Sequence, residues 1–268
     1  MRMQPVGTAV ITGASSGIGS VYADRLAARG HDLLLVARRR DRLEALAEVI
    51  GKRHDVTAEI AAIDVTDSGD LASIEAQLRE RGDVSMLVNN AGSGALGPTA
   101  AVDVDRIDNL IRLNVVALAR LSHAALIGFR RRGSGGMINI GSIMAHCPSA
   151  TAGVYSATKA FVANFTRSLQ MEHRGSAIVI QLVQPGPVRT EFFAASGATE
   201  DVFPPESFLT AEQLVDAALK GFDNREAVTT PSLLDLSLWD SFEKTRKDFL
   251  ANVGSGSVAA RYAVQKDN

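Results

Sequence analysis

Short aliphatic runs that alternate with longer helix-period stretches constrain this chain more than any other feature. The runs TAVIT (8–12), DLLLVA (32–37), AEIAAI (58–63), SMLVNN (85–90), GMINIG (136–141) and AIVIQLV (177–183) are nearly continuous in apolar residues, with a weaker one at EAVTT (226–230). Strands covered on both faces read this way, because neither side of their sheet meets water. Helical periods fill 17–29, 40–51, 68–81, 103–131 and 153–173. Repeated strand–helix–strand units connect through right-handed crossovers, so the pattern predicts an α/β fold with a doubly wound parallel sheet. No repeat or linker divides the chain before about residue 190, and one domain over 1–268 is expected. Beyond Thr190 the pattern loosens. Residues 194–207 (AASGATEDVFPPES) are small, polar and Pro-containing, as in a loop, and 209–222 resumes a helical period. Together they define an expected substrate flap at about 191–225. An amphipathic helix with a polar tail is expected over about 232–268.

Composition narrows the function classes. Of the 268 residues, 46% are hydrophobic and 22% charged, enough to fill a core. The net charge of −2 offers no basic surface to nucleic acid. The single cysteine, Cys147, forms no intrachain disulfide and no Cys-rich metal site; a reducing cytoplasm suits it. The N-terminal stretch MRMQPVGTAVITG lacks a long apolar h-region, and no apolar run approaches the ~18 residues of a membrane helix. A soluble protein without membrane or metal is therefore expected.

The first strand runs into Gly13-Ala14-Ser15-Ser16-Gly17-Ile18-Gly19, and a helical pattern follows at once. Glycines at a strand-to-helix turn let the backbone approach a pyrophosphate, and the helix N-terminus adds partial positive charge. A ligand-free Gly-rich turn is the alternative for glycines in isolation. On the first strand of such an array, dinucleotide binding in a Rossmann-type fold is favoured. Nineteen residues after Gly19, where an NAD-selective site places an acid, stands Arg38, with Arg39 beside it. A guanidinium pairs bidentately with a 2′-phosphate, so these residues favour NADP(H) over NAD(H). Arg40 reads instead as a solvated helix start, and Asp41 as an early-helix acid facing the dipole.

Tyr155-Ser-Ala-Thr-Lys159 opens the helical stretch 153–173, and a separation of four places both side chains on one face. A phenol titrates near 10; a neighbouring ammonium favours its phenolate, so the group can pass a proton to or from an alcohol oxygen. Alone, this spacing is a weak signal. Ser142 stands thirteen residues earlier, just after the fifth strand, where ligands gather in open α/β sheets. It can orient a substrate oxygen, or serve only as a turn or cap residue. Asn114 is polar within an apolar helical stretch, either a buried amide bracing backbone or a link in a proton path.

With TGASSGIG (12–19), Asp64-Val65, NNAG (89–92), Asn114, Ser142, YSATK (155–159) and PGPVRT (185–190) in this order, the sequence resembles the short-chain dehydrogenase/reductase family in its compact form. The motifs span about two thirds of the chain. The resemblance implies an oxidoreductase that moves a hydride between NADP(H) and a carbonyl or secondary alcohol, with Tyr155 as general acid/base. It implies that Lys159 lowers the Tyr155 pKa and bonds the nicotinamide ribose, that Ser142 holds the substrate oxygen, and that Asn114 positions a water leading from Lys159. Gly13, Ser15, Gly17, Ile18 and Gly19 would line the pyrophosphate, Asp64 and Val65 the adenine, and Asn90, with Ala91 and Gly92 beside it, the adenosine side. Pro185, Gly186, Val188 and Thr190 would contact the nicotinamide end. The family commonly forms homotetramers or dimers through its long helices. Ser16 stands where some NADP-selective members carry a basic residue, which leaves cofactor choice to Arg38 and Arg39.

His146 and Cys147, close behind Ser142, have no second Cys or clustered His to support metal or nucleophilic chemistry and read as pocket lining. Trp239, Phe242 and Phe249 read as packing residues of the last helix. A non-catalytic NAD(P)-binding regulatory protein is the rival from another class; binding alone would not require Tyr155. The substrate would be chosen by 93–98, 143–152 and the flap, whose Ile143, Met144, Ala150, Phe192, Phe193 and Phe203 suit a hydrophobic ketone, aldehyde or alcohol.

Overall fold

The aliphatic runs become seven strands: β1 (Thr8–Thr12), β2 (Asp32–Ala37), β3 (Ala58–Ala62), β4 (Val84–Asn89), β5 (Gly135–Ile140), β6 (Ile178–Val183) and a two-residue β7 (Val228–Thr229). The computed structural model describes residues 6–197, 203–254 and 256–262. All strand pairs are parallel, in the order β3-β2-β1-β4-β5-β6-β7. Between them lie α1 (Gly17–Ala28), α2 (Arg40–His54), α3 (Ser68–Glu80), α4 (Val104–Ile111), α5 (Leu118–Arg132), α6 (Gly153–Glu172), α7 (Phe192–Ser196) and α8 (Ala211–Asp223).

The period of two along each strand divides the core into two layers. Ile11, Leu33, Leu35, Val88 and Ile138 pack against Tyr22 and Leu26 of α1, Leu43 and Ile50 of α2, and Leu214 and Val215 of α8. Their sequence neighbours Val10, Leu34, Val36, Leu87 and Met137 face the other way, onto Leu71, Ile74 and Leu78 of α3 and Leu121 and Phe129 of α5. Both faces are buried, which is why the strands read as continuous apolar runs rather than alternating ones. The chain winds outward from β1 through β2 to β3, then returns to the other side of β1 with β4. The reversal leaves a crevice beyond the carboxyl ends of β1 and β4, and the site is built there.

Two expectations need correction. The single helix expected over 103–131 is interrupted by a π-helical turn, Arg112–Ala117, between α4 and α5. Leu110, Asn114, Ala117, Leu118 and Leu121 are all buried at spacings an unbroken α-helix would also give, so periodicity hides the wider turn. The same continuous stretch, Val104–Arg132, contains a window long and apolar enough to cross a membrane, with mean hydropathy 1.5, contrary to the sequence reading. Half of that window is buried inside the protein, where its apolar residues serve the core.

In the expected flap, Phe192–Ser196 forms the short helix α7, and Pro205–Ser207 forms a 3-10 turn. Part of the loop expected at 194–207, residues 198–202, lies outside the described residues. Thr210 caps α8 in a reciprocal box with Gln213. Arg25–Asp216 and Arg29–Asp223 ion pairs, at 2.7 and 2.8 Å, link α1 to α8.

Residues Met1–Ser232 form one compact unit and Leu233–Asn268 a second. The second contains α9 (Leu236–Val253), whose N-terminus is capped by the Asp235 carboxylate accepting from the Ser237 N–H at 2.9 Å. Within α9 the Trp239 and Phe242 rings lie 5.5 Å apart, and Arg246 pairs with Glu243 at 3.0 Å.

Candidate active site

Backbone conformation explains the glycines of the first turn. Gly13 and Gly17 sit at φ +67° and +54°, in the left-handed region that side chains with a Cβ resist. Gly19 is required for a different reason: a Cβ there would strike the Gly13 carbonyl oxygen and lie 2.6 Å from Asn90 Nδ2. Asn90 is the brace of this turn. Its amide donates to the carbonyls of Thr12 (2.9 Å) and Gly13 (3.2 Å). The Thr12 hydroxyl in turn accepts from the backbone N–H groups of Asn90 (3.1 Å) and Ala91 (3.0 Å). The ends of β1 and β4 are thereby tied together, with Ile18 anchored on the core. Ser16 occupies the N-cap of α1, yet its hydroxyl makes no cap hydrogen bond. A turn whose three glycines leave its tightest points free of Cβ atoms, leading to a helix start with no side-chain cap, fits a pyrophosphate.

The two arginines behave differently. Arg38 points outward, 73% exposed, and reaches Asp64 at 3.7 Å. Asp64 also accepts from the N–H and hydroxyl of Thr66 at 2.9 and 2.8 Å, beside buried Val65. Arg39 lies across the glycine-rich turn: Nε and Nη2 donate to Ser15 Oγ at 3.2 and 3.1 Å, and Nη2 to Ser16 Oγ at 2.7 Å. Its Nη1 donates to Glu191 Oε2 at 2.8 Å, and Arg42 Nη1 donates to the other Glu191 oxygen at 2.7 Å. Neither Arg42 nor Glu191 was singled out in the sequence. An acid 149 to 152 positions from its partners leaves no local spacing to read.

Beyond β5 and along α6, Ser142, Tyr155 and Lys159 come together, all buried. Ser142 caps a 3-10 turn, its Oγ accepting from Met144 N at 3.1 Å, and its hydroxyl is near enough to the Tyr155 phenol to favour the phenolate. Burial pushes the phenol up to about 12, against the smaller opposing influence of Ser142. Lys159 donates to the Ile140 carbonyl at 2.9 Å, with Nζ 5.8 Å from the Tyr155 ring centroid. Burial pulls its ammonium down to about 8. The lowering of Tyr155 by Lys159 that the resemblance implies is thus not the dominant effect among the protein's own groups; desolvation is.

Asn114, carried on the π turn, is a three-bond clamp. Nδ2 donates to the Ser93 carbonyl at 3.0 Å and to Thr158 Oγ1 at 3.1 Å, while Oδ1 accepts from Ser93 N at 3.1 Å. Thr158 passes the connection on, donating to the Tyr155 carbonyl at 2.7 Å. A Cβ on Gly92 would meet Asn114 Oδ1 at 3.3 Å and Lys159 Nζ at 3.6 Å, which places the clamp beside the lysine. Thr158, third in helical order from Tyr155, carried no signal of its own in the sequence.

The segment 185–192 closes one side. The Pro185 carbonyl accepts from Ile143 N at 3.0 Å, Gly186 lies near Ile143, and Val188 bridges to Leu209. Phe192 N donates to Thr190 Oγ1 at 3.3 Å, and the Phe192 and Tyr155 rings are 5.5 Å apart. Leu96, Val102, Met144, Val154 and Phe192 surround a small apolar cluster that includes Tyr155. Phe193, Phe203 and Phe208 form a second, edge-to-face group. His146 is partnered by Gln184 at 2.6 Å, and Cys147 is exposed.

A parallel sheet that opens a nucleotide-binding turn toward a buried phenol is the organisation of a Rossmann-type oxidoreductase. The family model for short chain dehydrogenase matches residues 7–201, and the chain belongs to that family. It is similar to a short-chain dehydrogenase from Sphingobium yanoikuyae solved in complex with NADPH, with 40% identity, TM-score 0.92, and coverage of 96% of this chain and 100% of that one. A bulky-bulky ketone specific alcohol dehydrogenase from Comamonas testosteroni is 36% identical, with TM-score 0.89 and coverage of 97% and 100%. The very-long-chain 3-oxoacyl-CoA reductase of Bos taurus is 30% identical over 261 residues, 95% of this chain and 81% of that protein.

Proposed function

We propose that this protein is an NADP(H)-dependent reductase of hydrophobic ketones or aldehydes, in which Tyr155 donates the proton and Ser142 orients the carbonyl oxygen. The observation that carries the reading is that Ser142, Tyr155 and Lys159 are buried together, with Lys159 Nζ 5.8 Å from the Tyr155 ring centroid, beyond the strand ends that also carry the glycine-rich turn. A phenol pushed up to about 12 keeps its proton at neutral pH, the state an acid needs to quench an alkoxide. An ammonium at about 8 is still mostly protonated there, and the Ile140 carbonyl uses only one of its three N–H bonds, so others can reach ribose hydroxyls. Asn114 and Thr158 act as positioning residues that hold the start of α6 against the loop at Ser93.

The nicotinamide, when bound, supplies the hydride and, once oxidised, a positive charge. The Gly13–Gly19 turn and the α1 N-terminus would hold the pyrophosphate, Asp64 and Val65 the adenine side, and Ala91 and Gly92 the groove floor. Pro185, Gly186, Val188 and Thr190 would flank the nicotinamide. Arg38 and Arg39 would hold a 2′-phosphate, Arg39 from across Ser15 and Ser16. The NADPH named for the Sphingobium relative supports this choice. The apolar cluster around Tyr155 supports a bulky substrate, as does the ketone class named for the Comamonas relative. Assembly into a dimer or tetramer belongs to the same proposal: α5 and α6 expose Ile127 and Phe161.

The test follows absorbance of the reduced nicotinamide with NADPH or NADH and a panel of ketones and aldehydes. Tyr155→Phe keeps most of the packing and removes the transferable proton, so turnover is expected to fall by about 10²–10⁴. Wild-type turnover in that variant would refute the mechanism. Light scattering reads the assembly.

A further inference from the structure

Three consecutive residues, Thr190, Glu191 and Phe192, touch three separate parts of the site. The Thr190 methyl lies 3.1 Å from where a Cβ on Gly17 would be, Glu191 pairs with Arg39 and Arg42, and the Phe192 ring lies against Tyr155. The strap that begins α7 is therefore fastened at the pyrophosphate turn, at the arginine pair and at the phenol.

The middle fastening has unusual chemistry. The guanidinium of Arg39 is spent on Ser15 Oγ, Ser16 Oγ and the Glu191 carboxylate, and Arg42 is held by the same carboxylate. A carboxylate gripped by two guanidinium groups is the pairing a phosphate monoester would make with them. From this arrangement, and resting on the reading of Arg39 as a reader of the 2′-phosphate, we propose that Glu191 is an internal competitor for that phosphate. It occupies Arg39 in the phosphate's stead, with Arg42 holding it there, and so sets how strongly the protein prefers NADP(H) to NAD(H). Because Glu191 also begins α7, displacing it loosens the strap that carries Phe192, so the 2′-phosphate is sensed next to the catalytic tyrosine. The arginines hold the carboxyl well below its usual range, so Glu191 is an anion throughout the working pH range. Its 54% exposure leaves it displaceable rather than locked.

The test is equilibrium binding to wild type and Glu191→Gln by nicotinamide fluorescence, in low salt, with NADPH and with NADH. Two exposed ion pairs are modest interactions, so the neutral variant is expected to bind NADPH about threefold to tenfold more tightly, with NADH affinity changed less than about twofold. A second readout avoids the nicotinamide: hydrogen exchange at the Phe192 and Ala195 amides, whose acceptors are Thr190 Oγ1 and the Glu191 carbonyl. Adenosine 2′,5′-bisphosphate is expected to speed that exchange in wild type, and ADP is not. In Glu191→Gln the exchange is expected to be fast already. If Glu191→Gln binds NADPH equally or more weakly, or if the bisphosphate slows exchange at the strap, the competition is refuted while the NADP(H) reading survives. If wild type binds NADPH no better than NADH, the NADP(H) reading fails and takes this inference with it.

Discussion

Truncating Asn114 tests whether the π turn serves the site or merely fills space. In Asn114→Ala the Ser93 N–H and C=O lose their side-chain partners together, and Thr158 Oγ1 loses a donor while still donating to the Tyr155 carbonyl. Leaving a buried backbone group unpaired costs about 1–3 kcal/mol, so two such groups set a range of roughly 2–6 kcal/mol. Ser93 is only partly buried and water can recover part of this, which favours the lower half, about 2–3 kcal/mol. Against a total stability of about 5–15 kcal/mol the protein stays folded, but measurably weaker. Urea unfolding followed by circular dichroism reads the loss, and turnover on any accepted ketone is measured beside it. Thr158→Val removes both the acceptor of the Asn114 amide and the donor to the Tyr155 carbonyl, and is expected to cost about 1–2 kcal/mol. The double variant should then lose less than the sum, because both residues share one hydrogen bond. A shift under about 0.5 kcal/mol in Asn114→Ala, with unchanged turnover, would refute the clamp.

Gly19→Ala forces a Cβ onto the Gly13 carbonyl and the Asn90 amide, and backbone cannot swing away as a side chain can. It is expected to destabilise by about 1–3 kcal/mol and to abolish detectable cofactor binding by fluorescence titration, whereas Gly82→Ala, with open space around it, should do neither. Lys159 gives a pH signature. Its folded pKa of about 8 lies below its ordinary value, so between about 8 and 10.5 the unfolded chain binds more protons than the native one, and native stability rises with pH across that window. Lys159→Met should flatten the rise in urea midpoints measured from pH 7 to 10; an undiminished rise would assign it to other groups.

Much of this architecture was legible because burial leaves a trace in residue type. The strands β1 and β2 fall where the aliphatic runs put them, and the others shift by one or two residues at their ends, where fraying and side-chain exposure blur the pattern. The glycine turn was legible for a related reason: backbone conformation and close approach admit no other residue at Gly13, Gly17 and Gly19. What stayed hidden depends on partners distant in sequence. Asn90 braces the turn through carbonyls 77 and 78 positions away. Glu191 looks like any surface acid until the fold lays Arg39 and Arg42 beside it. The π turn escaped because helical burial spacing continues straight through it. Of Arg38 and Arg39, which sequence position reads alike, Arg39 is the one that spans the glycine-rich turn.

The opposite shifts of Tyr155 and Lys159 have one cause with unequal consequences. Desolvation favours the neutral form of each, so it retains the proton on the phenol and loosens the one on the ammonium. If Tyr155 is the acid of carbonyl reduction, as proposed, the phenol must begin protonated, and burial keeps it so at every pH below about 12. On the proposed mechanism, the loss of the Lys159 proton near 8 is then what would limit the rate. Alcohol oxidation needs the phenolate, which the same burial opposes, so that direction depends on added positive charge near the phenol and on rising pH. Reduction is therefore expected to be flat from acidic pH up to about 8 and to decline above it, while oxidation climbs through the same interval. Profiles of kcat/KM in both directions, with one ketone–alcohol pair, decide the matter. Superimposable profiles would mean that the phenol's burial does not govern proton transfer, and the assignment of Tyr155 as the acid would lose its physical basis.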